Sequence, residues 1–211
     1  MVARQEIAPD VTPRGEPVRV VPDVEEPEEL PRRRLKRSEF DILVGEGVFE
    51  DERLELLFGE LIEMSPQKPP HSRITARLAS LLILALHKRA LVQSHSPIVG
   101  AEESEPEADV AVYDPQDDLT DDHPTHVHFV CEVSRSSRKR DLVTKRRLYA
   151  LTLIPEYWVI DVARRVVHVL RDPADGDYRT DTPYPIGVGT ALSLVVFPDV
   201  SVAIDSLFEG L

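Results

Sequence analysis

Apolar positions along this chain recur with two different periods, and the switches between them mark out the elements. Over "PPHSRITARLASLLILALHKRA" the residues Ile74, Leu78, Leu81, Leu82, Ala85 and Leu86 follow a 3.6-residue repeat, and Pro69 and Pro70 mark its start, which predicts an amphipathic helix. Upstream, "SEFDILVGEG" predicts a short helix ended by glycine, with Ser38 as N-cap and Asp41 in the first turn. "RLELLFGELIEMSP" predicts two short strands broken at Gly59. After the long helix the pattern turns extended. "LVQSHSPIVGA", "ADVAVYD" and "HVHFVCEV" are short strands, the last two rich in β-branched residues and separated by the loop chemistry of "PQDDLTDDHPT". "SRKRDLVTKRRLYALT" predicts a second amphipathic helix that must stop before Pro155. "PEYWVID", "RRVVHVLRD" and "DYRTD" then predict a meander with turns at Val162–Ala163 and Ala174–Gly176, and "LSLVVFPDVSVAIDSLF" closes the domain. The expected class is α/β (α+β): a mixed β-sheet flanked by helices, with a C-terminal β-meander.

Composition adds a tail to this picture. Residues 1–31 hold six of the eighteen prolines, and eight acids against three bases, without apolar periodicity. This predicts a disordered acidic segment over 1–37 that ends in the basic run "RRRLKR", followed by one folded domain over 38–211. The apolar fraction of 42% supplies a core for that domain. No apolar run approaches a bilayer span, and "MVARQEIAPD" lacks the apolar core of a signal peptide, so a cytoplasmic protein without a membrane partner is expected. The single cysteine, Cys131, fits a reducing compartment and reads as a small buried strand residue.

Charge is distributed unevenly. The chain carries a formal net charge of -13, which argues against coating of nucleic acid by the whole surface. Yet residues 135–147 contain seven bases and one acid. This run follows a strand that ends in a carboxylate, Glu132. If strands 109–114 and 127–133 pair antiparallel, Asp109 lies opposite Glu132, and Asp109, Ala111 and Tyr113 share a face with Glu132, Val130 and His128. Two facing carboxylates repel unless a cation sits between them, and hard oxygen ligands suit Mg²⁺ or Mn²⁺; an exposed strand-end acid in a shifted register is the competing reading. On the following helix an apolar stripe runs through Leu142, Tyr149 and Leu153, with Leu148 on one side and Val143 and Ala150 on the other. Lys145 and Arg146 both fall beside it. Spacing does not choose between them, whereas the compact ammonium suits a place beside a metal and a phosphate.

With these residues in view the chain resembles the Uma2 family of restriction-endonuclease-like proteins, a branch of the PD-(D/E)XK nuclease superfamily. The matching pieces are "FGELIEMSP", "PPHSRITARL", "SEPEADVAVY", "CEVSRSSRKRDLVTKRRLYA" and "IPEYWVIDVARRVVHV", in order, over roughly residues 38–208. The resemblance implies a restriction-endonuclease-like fold and metal-dependent hydrolysis of DNA phosphodiester bonds. Asp109 matches the family's first metal-binding acid and Glu132 the second. Lys145 matches a catalytic lysine displaced from the strand to the next helix, which accounts for Ser134 at the superfamily's usual lysine position. Ala108 departs from the family's proline before Asp109, a residue that shapes backbone and carries no ligand. Glu60 and His71 match recurrent polar positions: Glu60 could complete a metal shell, and His71 could hold a phosphate or orient a ligand. Glu107 belongs to an acidic approach to Asp109 and could help hold the metal. Arg135, Arg138, Lys139, Arg140, Arg146 and Arg147 are the implied phosphate contacts. The implied cofactor is Mg²⁺ (or Mn²⁺) and the implied partner is DNA, with "PEYWVID" and the strands after it available as a homodimer edge. The alternative is a non-catalytic DNA- or partner-binding module on the same fold; a third reading makes the acidic tail a protein contact.

Overall fold

The computed structural model describes residues 31–119 and 121–211. The expected tail, apart from its last residues, lies outside the described residues. The first helix, α1 (Arg37–Gly45), is capped two residues earlier than expected: Lys36 is the N-cap, and Glu39 Oε2 accepts the Lys36 N–H at 3.0 Å. Ser38 therefore lies inside the helix, because the Glu39 carboxylate reaches back to the chain entry as the second half of a capping box does. β1 (Leu54–Leu57) and β2 (Glu60–Glu63) form an antiparallel hairpin. Its two-residue turn has positive φ at both Phe58 (50°) and Gly59 (78°), the combination that suits the twist of a tight hairpin. Glycine is required at 59 also because a Cβ there would stand 2.4 Å from the Arg34 Cβ.

α2 (Pro69–Leu86) has prolines at its first positions and ends at His87 in the left-handed region. Its buried stripe is Ile74, Thr75, Leu78, Ala79, Leu82 and Leu86; Leu81, expected on that stripe, is 39% exposed. The main sheet has the order β3 (Leu91–Pro97), β4 (Glu107–Tyr113), β5 (Val127–Ser134), β6 (Glu156–Asp161), β7 (Val166–Ala174) and β8 (Asp177–Pro185). Only β5 and β6 are parallel. Their crossover carries the second predicted helix, since parallel neighbours need a long connection. β6–β7–β8 is the expected meander. The closing segment forms a separate two-stranded sheet of β9 (Ala191–Ser193) and β10 (Ser201–Ala203), then a 3₁₀ turn at Ile204–Phe208.

The sheet has apolar matter on both faces. On one side α2 and the C-terminal segment pack over Val110, Phe129, Cys131, Val133, Trp158 and Ile160. On the other, Tyr149 and Ala150 cover Ala111, Val130, Tyr157 and Val159. Cys131 is fully buried, as expected, and burial pushes its thiol up. One predicted neighbour changes sides. A bulge between Val112 and Tyr113 pairs Tyr113 with Val127, so Val127 shares its cluster. His128 turns away and meets the Phe197 ring edge-on at 5.7 Å.

The crossover helix also departs from a regular α-helix. Residues Arg140–Lys145 form a π-helical turn that runs into α3 (Arg146–Leu151). The wider turn shifts the phase of everything before it, and such turns concentrate at functional sites. Val143 is left exposed, and so is Leu153, which lies past the helix end with φ of 58°. Lys145 is turned inward and is 2% exposed.

Candidate active site

β4 supplies the central acid. Val110 pairs with Cys131 on β5, which sets Asp109 next to Glu132 in the register expected from period 2. On the other side of β4, Ser94 pairs with Val110 and Ser96 with Ala108, so the residue across from Asp109 is His95. His95 has φ of 50° in mid-strand and drops out of the ladder. Its Nδ1 lies 3.3 Å from Asp109 Oδ1 and 2.7 Å from Gln67 Nε2. His71, in the first turn of α2, brings Nε2 to 3.0 Å from Asp109 Oδ2, and the same oxygen accepts the Val133 N–H at 2.7 Å. The two imidazoles stack with centroids 5.8 Å apart. Burial would raise the Asp109 carboxyl, but bonds from His71, His95 and the Val133 N–H hold it well below the usual carboxylate range.

Glu132 is buried and its Oε1 accepts two hydrogen bonds, from Lys145 Nζ at 2.9 Å and from the Tyr149 hydroxyl at 2.8 Å. Lys145 Nζ also donates to the Glu107 carbonyl at 2.9 Å and lies 2.9 Å from Glu55 Oε2 on β1. Burial acts to lower the lysine, and the carboxylates of Glu132, Glu55 and Asp141 outweigh it, so the ammonium is held charged. Burial pushes the Glu132 carboxyl up; Lys145 opposes this, while Asp109, Asp141 and Glu55 reinforce it. Asp141, in the π turn, is also raised by burial and is bonded by the Ser137 hydroxyl at 2.5 Å. Buried carboxylates therefore outnumber the one buried ammonium.

These groups open on a cavity of about 960 Å³ whose lining includes His71, Glu107, Asp109, Glu132, Asp141 and Lys145. Besides Lys145, the lysines and arginines of the lining are Arg53, Lys68, Arg135, Lys139 and Arg140. Among the described residues no group of three or more His, Cys, Asp or Glu stands ready to enclose a metal ion. Two carboxylates do line the cavity side by side. None of the hydrogen bonds to Glu132 uses Oε2, and the local excess of acid is the charge a cation would balance. This donor set fits an ion that takes one or two carboxylates and fills its remaining positions with water and phosphate oxygens, as Mg²⁺ does.

The other expected residues divide. Glu107 lines the cavity, with its carboxylate 2.6 Å from Arg53 Nη2. Glu60 does not line it: it is exposed at the start of β2, and the hairpin acid that faces the lysine is Glu55. Glu60 pairs with Leu57 and Glu55 with Ile62, so alternation puts both glutamates on one face; they differ in position along the hairpin, Glu60 standing at the turn and Glu55 two residues further from it. Arg135, Lys139 and Arg140 line the cavity. Arg138 bonds Asp161 at 2.9 Å. Arg146 leaves the site for β8, where it meets Asp177 at 2.5 Å and Asp181 at 2.8 Å. Arg147 is exposed and outside the cavity lining. Glu55 and His95 are the site residues that sequence reasoning missed. A lone charge within "LELL" was the available signal for Glu55, and none was available for His95, whose ring reaches Asp109 through a backbone distortion.

Comparisons with known proteins bear on the fold and the family. Among solved structures, a crystal structure of a "putative nuclease belonging to DUF820 from Anabaena variabilis ATCC 29413" superposes with a TM-score of 0.67 at 16% identity, over 82% of this chain and 97% of that one. At that identity the likeness establishes the fold. No curated protein matches the chain. The Uma2 family, described as "Putative restriction endonuclease", matches residues 37–206, nearly the whole described domain, and the chain belongs to that family.

Proposed function

We propose that this protein is a Mg²⁺- or Mn²⁺-dependent DNA endonuclease that hydrolyses phosphodiester bonds in the cytoplasm. The observation that carries the reading is the meeting of Asp109, Glu132 and Lys145 at one cavity whose lining also holds Arg135, Lys139 and Arg140. Asp109 and Glu132 would hold the ion, and Glu107 would add to the field around it. A bound divalent ion lowers the pKa of its water and polarises a phosphoryl oxygen. His71 and His95 keep the Asp109 carboxylate ionised and oriented. Lys145 supplies a fixed positive charge to the phosphate as negative charge builds on it, an interaction that gains strength in a water-poor site. Arg135, Lys139 and Arg140 would seat the flanking phosphates, which carry affinity and no sequence information.

The test is nicking of supercoiled plasmid with Mg²⁺ or Mn²⁺. Asp109→Ala and Lys145→Ala should each lower the rate by about 10²-fold or more, the scale of losing one preorganised electrostatic group, with unchanged circular dichroism. Wild-type rates in both variants would overturn the site assignment. Salt-dependent DNA binding by wild type without cleavage in any divalent metal would instead favour a non-catalytic binding module.

A further inference from the structure

Lys145 makes more contacts than its expected role requires. An ammonium has three N–H donors. Three acceptors surround Nζ, each at 2.9 Å: Glu132 Oε1, Glu55 Oε2 and the Glu107 carbonyl. In this arrangement no donor is left for the cavity, so Lys145 must release one acceptor before it can touch a phosphate or a water.

The three acceptors are not equally replaceable. The Glu107 carbonyl belongs to β4, fixed where Glu107 pairs with Pro97 of β3. Glu55 is 1% exposed. Without the lysine, Oε2 would keep only the Glu107 N–H at 3.3 Å, and Oε1 has no hydrogen-bond partner. A second cation, Arg140, brings its Nε to 3.6 Å from Oε1 without a hydrogen bond. For a carboxylate this buried, losing the closer, hydrogen-bonding counter-charge and keeping only the distant guanidinium is unfavourable. Glu132 differs: it keeps the Tyr149 hydroxyl at 2.8 Å, and it lines the cavity from which a cation would arrive.

We propose that Glu55 is a positioning residue that anchors the Lys145 ammonium, so that Lys145 can give up Glu132 to an incoming divalent cation while staying in the site. Lys145 and the cation are then competitors for Glu132, and Glu55 weakens the competitor. This deepens the nuclease reading and rests on its assignment of Glu132 as a cation ligand.

The experiment is a double-mutant cycle on Mn²⁺ affinity, read by electron paramagnetic resonance of free Mn²⁺ on the full chain without DNA. Glu55→Gln should weaken Mn²⁺ binding roughly tenfold, since Lys145 then has Glu132 as its only carboxylate partner; coupling of that size is ordinary for residues in contact. In a Lys145→Met background the same substitution should change the affinity less than twofold. An equal loss in both backgrounds would make Glu55 a direct ligand or a bulk charge and overturn the proposal, as would no loss in either. No Mn²⁺ binding by wild type would instead overturn the metal assignment itself and the proposal with it. If Glu55→Gln does not fold, Glu55→Asp replaces it. That variant keeps the charge but withdraws the carboxylate from Lys145 by one methylene, and the same outcomes decide.

Discussion

Lys139 and Arg146 carry the same charge seven residues apart and meet different surroundings, which gives a residue-level test of the interface. Lys139 lines the cavity, whereas Arg146 is tied to Asp177 and Asp181. If DNA occupies the cavity, Lys139→Ala should weaken binding across sequences and lower the slope of log affinity against log salt by about one. Arg146→Ala should leave that slope unchanged and cost no more than about 1 kcal/mol of stability, as partly exposed ion pairs do. Fluorescence anisotropy at several salt concentrations measures the first and urea unfolding the second. A second test concerns Glu105, which is buried beside α1. Burial, and then the charge of Asp41, pushes its carboxyl up to about 7 from an ordinary value of 4.5. The folded state therefore holds this proton more tightly than the unfolded chain. The resulting stability is full below pH 4.5 and is lost as pH rises through 7. Melting temperatures from pH 5 to 8 should fall for wild type and fall less steeply for Glu105→Gln. Parallel curves would mean that Glu105 does not carry the dependence.

At the level of elements, α2 shows how far periodicity reaches. Leu78 and Leu84 lie on one helix; Leu78 is fully buried and Leu84 is 69% exposed. Leu78→Ala should cost about 2–5 kcal/mol in urea unfolding, because a cavity opens under the helix. Leu84→Ala should stay within about 0.5 kcal/mol. The helix, the hairpin turn at Gly59 and the strand alternation were legible because each follows from local sterics and from one buried face. The π turn at Arg140–Lys145 was not. A helical wheel with a fixed 3.6 period left Lys145 and Arg146 equivalent, and the wider turn separates them, sending one into the site and the other to β8. The same holds for His95: a strand pattern assigns its face, but not a φ of 50° that takes it out of the ladder and onto Asp109.

Across the whole molecule, the basic run that looked anomalous in a chain of net charge -13 is divided between two tasks. Arg135, Lys139 and Arg140 edge a cavity that holds an excess of carboxylates, and Arg138 and Arg146 tie the crossover helix to β6 and β8. By itself the sequence determined the order of helices and strands and most of the amphipathic face of α2, and it allowed Asp109 beside Glu132 as one of two registers, the one the structure adopts. Those features rest on short-range periodicity and on a strand register that one buried face enforces. Only the tertiary structure decided which base enters the site, that Glu55 and not Glu60 meets it, and that two histidines converge on Asp109. These contacts join a hairpin, a helix start, a sheet edge and a crossover that are distant in sequence. Their energy comes from buried charges finding partners in a shared low-dielectric space, which no local pattern encodes.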